Sequence, residues 1–294
     1  MKVDKTLFPA ASPELEVSSL KFKAVGILQH PKIQKAQEFG CQIAEYLEGL
    51  GIEVYRSCSW DDTEVESWID RVDLLIALGG DGTVLKAARM AFRSGTPILG
   101  INLGRLGFLS ELKPENWEDK IRDILHGQYW LENRLMLQAK YWWGDELLAV
   151  YDALNDVVVS RGSLARTVRL DTYIEKEFFT TYKADGVIVA TPTGSTAYAL
   201  AVGGPILPPQ LKNMLLIPIA PHLSMDRAIV LSQETVVDIK VSTDHPAILT
   251  IDGQFEVSLK DGDVISVTAA PVESYFVRTQ DKAYFYRTLM ERLR

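Results

Sequence analysis

The sequence predicts an α/β unit with a mostly parallel sheet, then a β-rich unit, and a C-terminal helix that packs back on the first. Three observations carry this. Between Phe22 and residue 126, apolar runs of strand type alternate with runs of helical period. Beyond residue 127, short β-rich runs follow one another with hardly a helix between them. The last run, "DKAYFYRTLMERLR", regains helical spacing. The expected boundaries are 1–20, a poorly ordered extension; 21–126, the α/β unit; 127–275, the β-rich unit; and 276–294, the segment returning to the first unit.

Each element has its own signal. "KAVGILQH" is a short β-rich run. In "PKIQKAQEFGCQIAEYLEGLG", Ile33, Ala36, Ala44, Leu47 and Leu50 fall at near-helical spacing, and Gly51 stops the helix. "IEVYRS" is a second strand. "VDLLIALGG" is a continuous apolar run of the kind buried on both faces of a parallel sheet. "TVLKAARMAFRSG" sets Val84, Leu85, Ala88 and Phe92 on one helical face, and "TPILGINLG" is the next strand. "PENWEDKIRDILHG" is helix-like and closes the unit. The β-rich part runs through "RLMLQAKYWW", "NDVVVSR", "TVRLDTYI", "GVIVAT", "MLLIPIA", "AIVL", "VDIKVS", "AILTIDG", "FEVSL" and "DVISVTAA". It is interrupted by "TPTGSTAYALAVGGPIL", where a strand gives way to a short helix of small residues.

Composition narrows the function. A chain of 294 residues, 47% hydrophobic and 24% charged, can bury two ordinary cores. A net charge of −8 argues against a nucleic-acid or anionic membrane surface, both of which reward clustered Lys and Arg. Cys41 and Cys58 match neither a zinc pattern nor a disulfide framework, which suits two free thiols in a reducing cytoplasm. His30, His126, His222 and His245 never fall three or four apart, so a His-rich metal site is not expected. No signal peptide or long apolar run is visible.

The informative stretch is "ALGGDGTVL", residues 77–85. It is not a Walker loop, because the chain contains no Gly-Lys pair, and it is not a dinucleotide fingerprint, because Leu85 stands where the third glycine is needed. What remains is a strand ending in glycines, an Asp, another Gly, and a Thr opening a helix. Glycines permit positive φ and close approach of a ligand, and the amides of a helix start point toward phosphate. Asp81 would repel that phosphate unless a metal ion or a hydroxyl stood between them. A phosphoryl acceptor supplies such a hydroxyl, and an ionised Asp81 can take its proton. Asp81 can equally serve as the helix N-cap. The spacing leaves both readings open.

"GGDGT" resembles the signature of a kinase superfamily that includes NAD kinases, diacylglycerol and sphingosine kinases and, in shorter form, 6-phosphofructokinases. "ALNDVVVSR" and "ADGVIVATPTGSTAYALAVGGPI" resemble the two further signatures of the NAD kinase family, in the same order. The likeness covers the chain from about Phe22 onward.

The resemblance implies roles for particular residues. Asp81 would be the proton acceptor for the 2′-hydroxyl of the adenosine ribose of NAD, with Gly82 against the nucleotide. Lys86 matches a position that can reach phosphate, and it also reads as a solvated helix lysine. Asn155 and Asp156 match a pair holding the adenosine part, and the same dipeptide commonly makes an Asx turn. Thr196, Ala197 and Tyr198 match nucleotide contacts: Thr196 can cap the short helix, Ala197 leaves room for a ring, and Tyr198 offers an aromatic face or is a buried core tyrosine. Asp185 matches a contact on the nicotinamide side, and Arg166, Lys183, Ala220 and Gln254 match further contact positions. Ala199 and Ala201 depart from the family, whose members often carry serine at both. A hydroxyl contact at Ala201 is therefore missing, at a cost of about 0.5–1.5 kcal/mol in binding.

The implied reaction uses ATP, or polyphosphate, and NAD to make NADP, with a divalent ion, Mg²⁺, arriving with ATP. The resemblance also implies a cytoplasmic homodimer or homotetramer without nucleic-acid or membrane partners. Two alternatives differ in observable ways. A lipid kinase of the diacylglycerol or sphingosine type calls for a membrane-binding patch, and a non-catalytic NAD(P) sensor calls for loss of the base.

Overall fold

The computed structural model describes residues 20–58, 62–104, 107–162, 166–222 and 225–293. The expected N-terminal extension, residues 1–20, lies outside the described residues apart from Leu20.

The first sheet grows from β1 (Ala24–Gln29), β2 (Glu53–Ser57), β3 (Leu74–Gly79) and β4 (Ile98–Asn102). All residues of β1, β3 and β4 are buried, the signature of parallel strands covered on both faces. The connecting helices are α1 (Gln34–Gly49), α2 (Asp62–Glu66) and α3 (Asp81–Ala91), with α4 (Trp117–Leu125) after β4. On α1, Ala36, Phe39, Gly40, Ile43, Ala44 and Leu47 are buried at three- and four-residue intervals, so one stripe faces the sheet. Residues of α1 and α4 share a core with one face of the sheet, and residues of α2 and α3 with the other. The first unit is thus the α/β unit with a mostly parallel sheet that the sequence predicts, with helices on both faces.

Two further strands complete it. β5 (Trp130–Arg134) lies at the edge of this sheet, next to the C-terminal strand described below as β18, which pairs parallel with β4. Residues 130–134, expected at the start of the β-rich unit, therefore belong to the first sheet. Glu132 and Arg134 of this strand are polar, yet both are buried as an ion pair.

The β-rich unit contains β6 (Leu137–Trp143), β7 (Glu146–Ala153), β8 (Asp156–Arg161), β9 (Val168–Ile174), β10 (Glu177–Ala184) and β11 (Gly186–Ala190). After α5 (Tyr198–Ala201) come β12 (Asn213–Ile219), β13 (Ile229–Ser232), β14 (Val237–Ser242), β15 (Ala247–Ile251), β16 (Phe255–Leu259) and β17 (Val264–Ala269). They form two antiparallel sheets, ordered β10-β9-β14-β17-β6-β7 and β13-β12-β11-β8-β15-β16, that enclose one core containing Leu170, Tyr182, Val187, Leu216, Leu249 and Val267. α5 packs on the outer face of the second sheet, where Ala199 joins Ile188, Leu215 and Ile217. The chain then returns through β18 (Ser274–Arg278) to the first sheet and ends its described part in α6 (Tyr284–Arg292). Strands β5, β7, β10 and β18 are absent from the sequence-derived runs. β7 and β10 are sheet edges with exposed Leu147, Leu148 and Phe178, so neither shows clean alternation.

Candidate functional site

Asp81 opens α3, immediately after the strand β3 and Gly80. It does not cap its own helix: Gly80 is the N-cap, and the first amide bonds of the helix go to the Gly80 carbonyl. The Asp81 carboxylate instead accepts the backbone N–H of Phe108 at 2.8 Å and of Leu109 at 3.3 Å. Two amides from the loop after β4 therefore fix both oxygens of the candidate base. The glycines do not act by positive φ, and at Gly79 the need is for space. None of Gly79, Gly80 and Gly82 has positive φ. A Cβ at Gly79 would overlap the Thr83 hydroxyl, whereas at Gly80 it would meet nothing within 4 Å, leaving open room beside the base.

The second strong carboxylate is Asp252, in the three-residue turn between β15 and β16. Asp252 and Gly253 both take positive φ, at 50° and 62°, as an Asp-Gly pair in a tight hairpin tolerates. The buried Asp252 accepts the N–H groups of Leu154 at 3.0 Å, Asn155 at 2.7 Å and Asp156 at 3.1 Å, while its own N–H donates to the Asp156 carbonyl at 2.9 Å. Arg89 of α3 stands 3.5 Å from it and stacks over Phe255. In the same turn Gln254 donates its side-chain N–H to the Gly82 carbonyl at 3.0 Å. Two residues of this turn, Asp252 and Gln254, thus join the glycine turn of one unit to the Asn155–Asp156 segment of the other.

Beside that turn is a cavity of about 330 Å³ lined by Asn155, Asp156, Ala197, Tyr198, Thr250 and Asp252, among others. Tyr198 is 46% exposed on its rim, so it is not a core tyrosine. Burial, and then the neighbouring Asp252 charge, pushes the Asp156 carboxyl up to about 7. Burial raises Asp252 as well, opposed by its amide donors and Arg89. Gly194 is needed where the strand turns into α5, because a Cβ there would overlap the Asn155 carbonyl.

The remaining expected residues are distributed differently. Arg166 and Lys183 line a second, larger cavity of about 1000 Å³ together with Arg169, His222 and His245. Asp185 forms an ion pair with Arg161 at 3.0 Å. Lys86 is buried and bound to Asp62 at 2.7 Å, which excludes the solvated-lysine reading. Thr196 does not cap α5; its hydroxyl donates to the Thr193 carbonyl at 3.1 Å. Ala201 is exposed on α5, and Ala220 sits in a turn at φ 46°. The departures from serine have unequal settings: Ala199 is fully buried in an apolar cluster, and Ala201 lines neither cavity.

Several residues of the site escape the sequence reading. Asp252 had a signal, the Asp-Gly turn in "AILTIDG", but its partners are about a hundred residues away in the chain. Behind the Asp81 loop lies a buried charge network: Glu132 binds Arg134 at 2.7 Å and Arg278 at 2.9 Å, and Arg278 reaches Glu111 at 3.3 Å and the Leu109 carbonyl at 3.1 Å. Burial alone would raise Glu132, but the two arginines outweigh it and hold the carboxyl at about 2. Arg134 also donates to the Thr193 hydroxyl at 3.4 Å, so the network touches both the base loop and the "TPTGST" turn. Among the described residues, no group of three or more His, Cys, Asp or Glu side chains is arranged to hold a metal ion, and no helix is long and apolar enough to cross a membrane.

Comparison with known proteins agrees with this architecture. Residues 32–129 match the ATP-NAD kinase N-terminal domain, and residues 154–279 match the ATP-NAD kinase C-terminal domain. An NAD kinase of Dehalococcoides mccartyi is 36% identical over 93% of this chain and 96% of its own length. One from Chloroflexus aurantiacus is 39% identical over 92% and 98%. The crystal structure of a yeast NADH kinase complexed with NADH superimposes with a TM-score of 0.82 at 25% identity, covering 97% of this chain and 92% of that one. An Archaeoglobus fulgidus NAD kinase in complex with ATP gives 0.75 at 27% identity, covering 92% and 98%. The chain belongs to the NAD kinase family.

Proposed function

We propose that the chain transfers the γ-phosphate of ATP to the 2′-hydroxyl of the adenosine ribose of NAD, with Asp81 as the base. The observation that carries this is the turn of residues 252–254. Its Asp252 organises the Asn155–Asp156 wall of the 330 Å³ cavity, and its Gln254 binds Gly82, next to Asp81. An adenosine held in that cavity by Asn155, Asp156 and Tyr198 would have its ribose directed toward the glycine turn.

In the reaction, a bond forms between the ribose 2′-oxygen and the γ-phosphorus, and the bond from that phosphorus to the β–γ bridging oxygen breaks. The hydroxyl proton passes to Asp81, and the electron pair leaves with ADP. Such transfers pass through a loose transition state, so alignment and charge neutralisation do most of the work. The Phe108 and Leu109 amides align the base. A divalent ion, Mg²⁺, would arrive with ATP and screen its phosphates. Among the described residues no cluster of His, Cys, Asp or Glu side chains is arranged to hold it.

Arg166 and Lys183, in the larger basic cavity, suit the nicotinamide and diphosphate portion of the dinucleotide. Exposed Leu147, Leu148 and Phe178 on the edge strands of the first antiparallel sheet support assembly into a homodimer or homotetramer, and the protein would act in the cytoplasm. The test is direct: purified protein with NAD, ATP and Mg²⁺ yields NADP, measured with an NADP-specific dehydrogenase, and polyphosphate run in parallel identifies the donor. No NADP with either donor would overturn the reading.

A further inference from the structure

The cations around the glycine turn are nearly all committed. On α3, Lys86 is bound to Asp62 and Arg89 to Asp252. Behind the base loop, Arg134 and Arg278 are taken up by Glu132 and Glu111, and Asp281 is paired with Arg287. Arg292 on α6 is in no ion pair among the described residues, whereas Arg89, one of whose nitrogens also has no hydrogen-bond partner, faces Asp252. The Arg292 guanidinium carbon stands 5.7 Å from the centre of the Phe108 ring and 5.4 Å from that of Tyr284, and its Nε is buried without a hydrogen-bond partner among the described residues. It shares a narrow cleft with Arg134, Arg278 and Lys282, where the acids Glu111 and Glu132 are already used.

The surroundings make this placement costly as it stands. Burial, and then the Arg278 charge, push Arg292 below its usual value, while Tyr284, Asp81 and Glu111 pull the other way. An arginine stays charged regardless. A half-buried cation beside another cation, with a donor unpaired, is relieved when an anion arrives. The position is also apt. Phe108, on which Arg292 lies, supplies the amide that holds Asp81 at 2.8 Å. In a chain of net charge −8, a local excess of positive charge one side chain from the base marks where a phosphate is met.

We propose that Arg292, carried by the C-terminal helix, binds the phosphate donor and neutralises the oxygens of the phosphoryl group as it passes to the acceptor beside Asp81. This rests on the kinase reading above. The glycine turn itself brings no uncommitted cation from α3, and Arg292 supplies that charge from the other end of the chain. As phosphorus moves from the bridging oxygen of ATP to the ribose oxygen, negative charge spreads over its three equatorial oxygens, where a planar guanidinium binds two at once.

The test uses the full chain with Arg292→Gln and Arg292→Lys, comparing kcat and KM for ATP, KM for NAD, NAD affinity by titration, and thermal midpoint. Arg292→Gln should lower kcat/KM for ATP by about 100-fold, the scale of losing one preorganised charge-stabilising donor. NAD affinity should stay within about twofold and the midpoint should not fall, because a donor contact acts on ATP alone and the unpaired cation costs the free protein stability. Arg292→Lys should recover part of the activity, since lysine keeps the charge without the fork. Wild-type ATP kinetics in Arg292→Gln would overturn the proposal. So would equal losses of affinity for ATP and for NAD with a lowered midpoint, the pattern of a purely structural role. Failure of the kinase reading would show separately, as a wild-type protein that makes no NADP.

Discussion

Asp81 Oδ2 accepts the Phe108 amide N–H at 2.8 Å, and Gly107, the residue before Phe108, packs so closely on that carboxylate that a Cβ would overlap it. The base is thus positioned by a loop on the neighbouring strand rather than by its own helix. Gly107→Ala should push the carboxylate from its place. A misplacement on the scale of an ångström costs on the order of 100-fold in rate. Steady-state kinetics should show that loss in kcat, with NAD affinity by titration near wild type, because the Asn155–Asp156 cavity is not touched. Unchanged kcat would mean that the loop does not set the base.

Asp252→Ala should be the most damaging single change outside the base. It leaves three backbone amides and Arg89 without their acceptor in a buried site. Breaking such a buried arrangement costs about 3–5 kcal/mol. Urea unfolding should show that loss, and the Km for NAD should rise, since the amides it held belong to the wall of the cavity. A variant as stable as wild type would show that the hairpin is not what joins the two units.

Asp156 gives a pH signature. Its carboxyl titrates at about 7 in the fold against 3.8 in a free chain. Between those values the unfolded state is ionised and the folded state holds the proton, so the unfolded state binds fewer protons. Stability from this group is complete below about pH 4 and is lost as pH rises to about 7. Ionised Asp156 is the better acceptor for ribose hydroxyls, so the Km for NAD should fall as pH rises through about 7. Asp156→Asn should flatten both dependences. If its pH profiles match those of wild type, another group is responsible.

The legible part of this molecule lies in segments whose chemistry is local. The unbroken apolar run Leu74–Gly79 announced a central parallel strand, and "GGDGT" announced the turn after it. Asn155, Asp156, Ala197 and Tyr198, expected together from two separate signatures, do line one cavity. What stayed hidden depends on partners remote in sequence. β5 reads as polar because Glu132 and Arg134 look solvated until Arg278, 146 residues away from Glu132, is brought beside them. The "GGDGT" turn does not use positive φ: Gly80 is extended, and the need shown is for space at Gly79, against the Thr83 hydroxyl, which no single-residue preference encodes. Of the two readings open for Lys86, a phosphate-reaching and a solvated lysine, the sequence could exclude neither because the charge of Asp62 lies on a neighbouring helix.

Asp81→Asn tests the account most directly. Asparagine keeps the shape of the side chain and one oxygen to accept an amide of the base loop, but it cannot take a proton from the ribose hydroxyl. NADP formation should fall by about 100- to 10,000-fold, the range for loss of a general base, while NAD affinity measured by titration stays within about twofold of wild type. An Asp81→Asn protein that turns over at the wild-type rate would contradict the assignment and leave Asp81 as an anchor for the Phe108 loop.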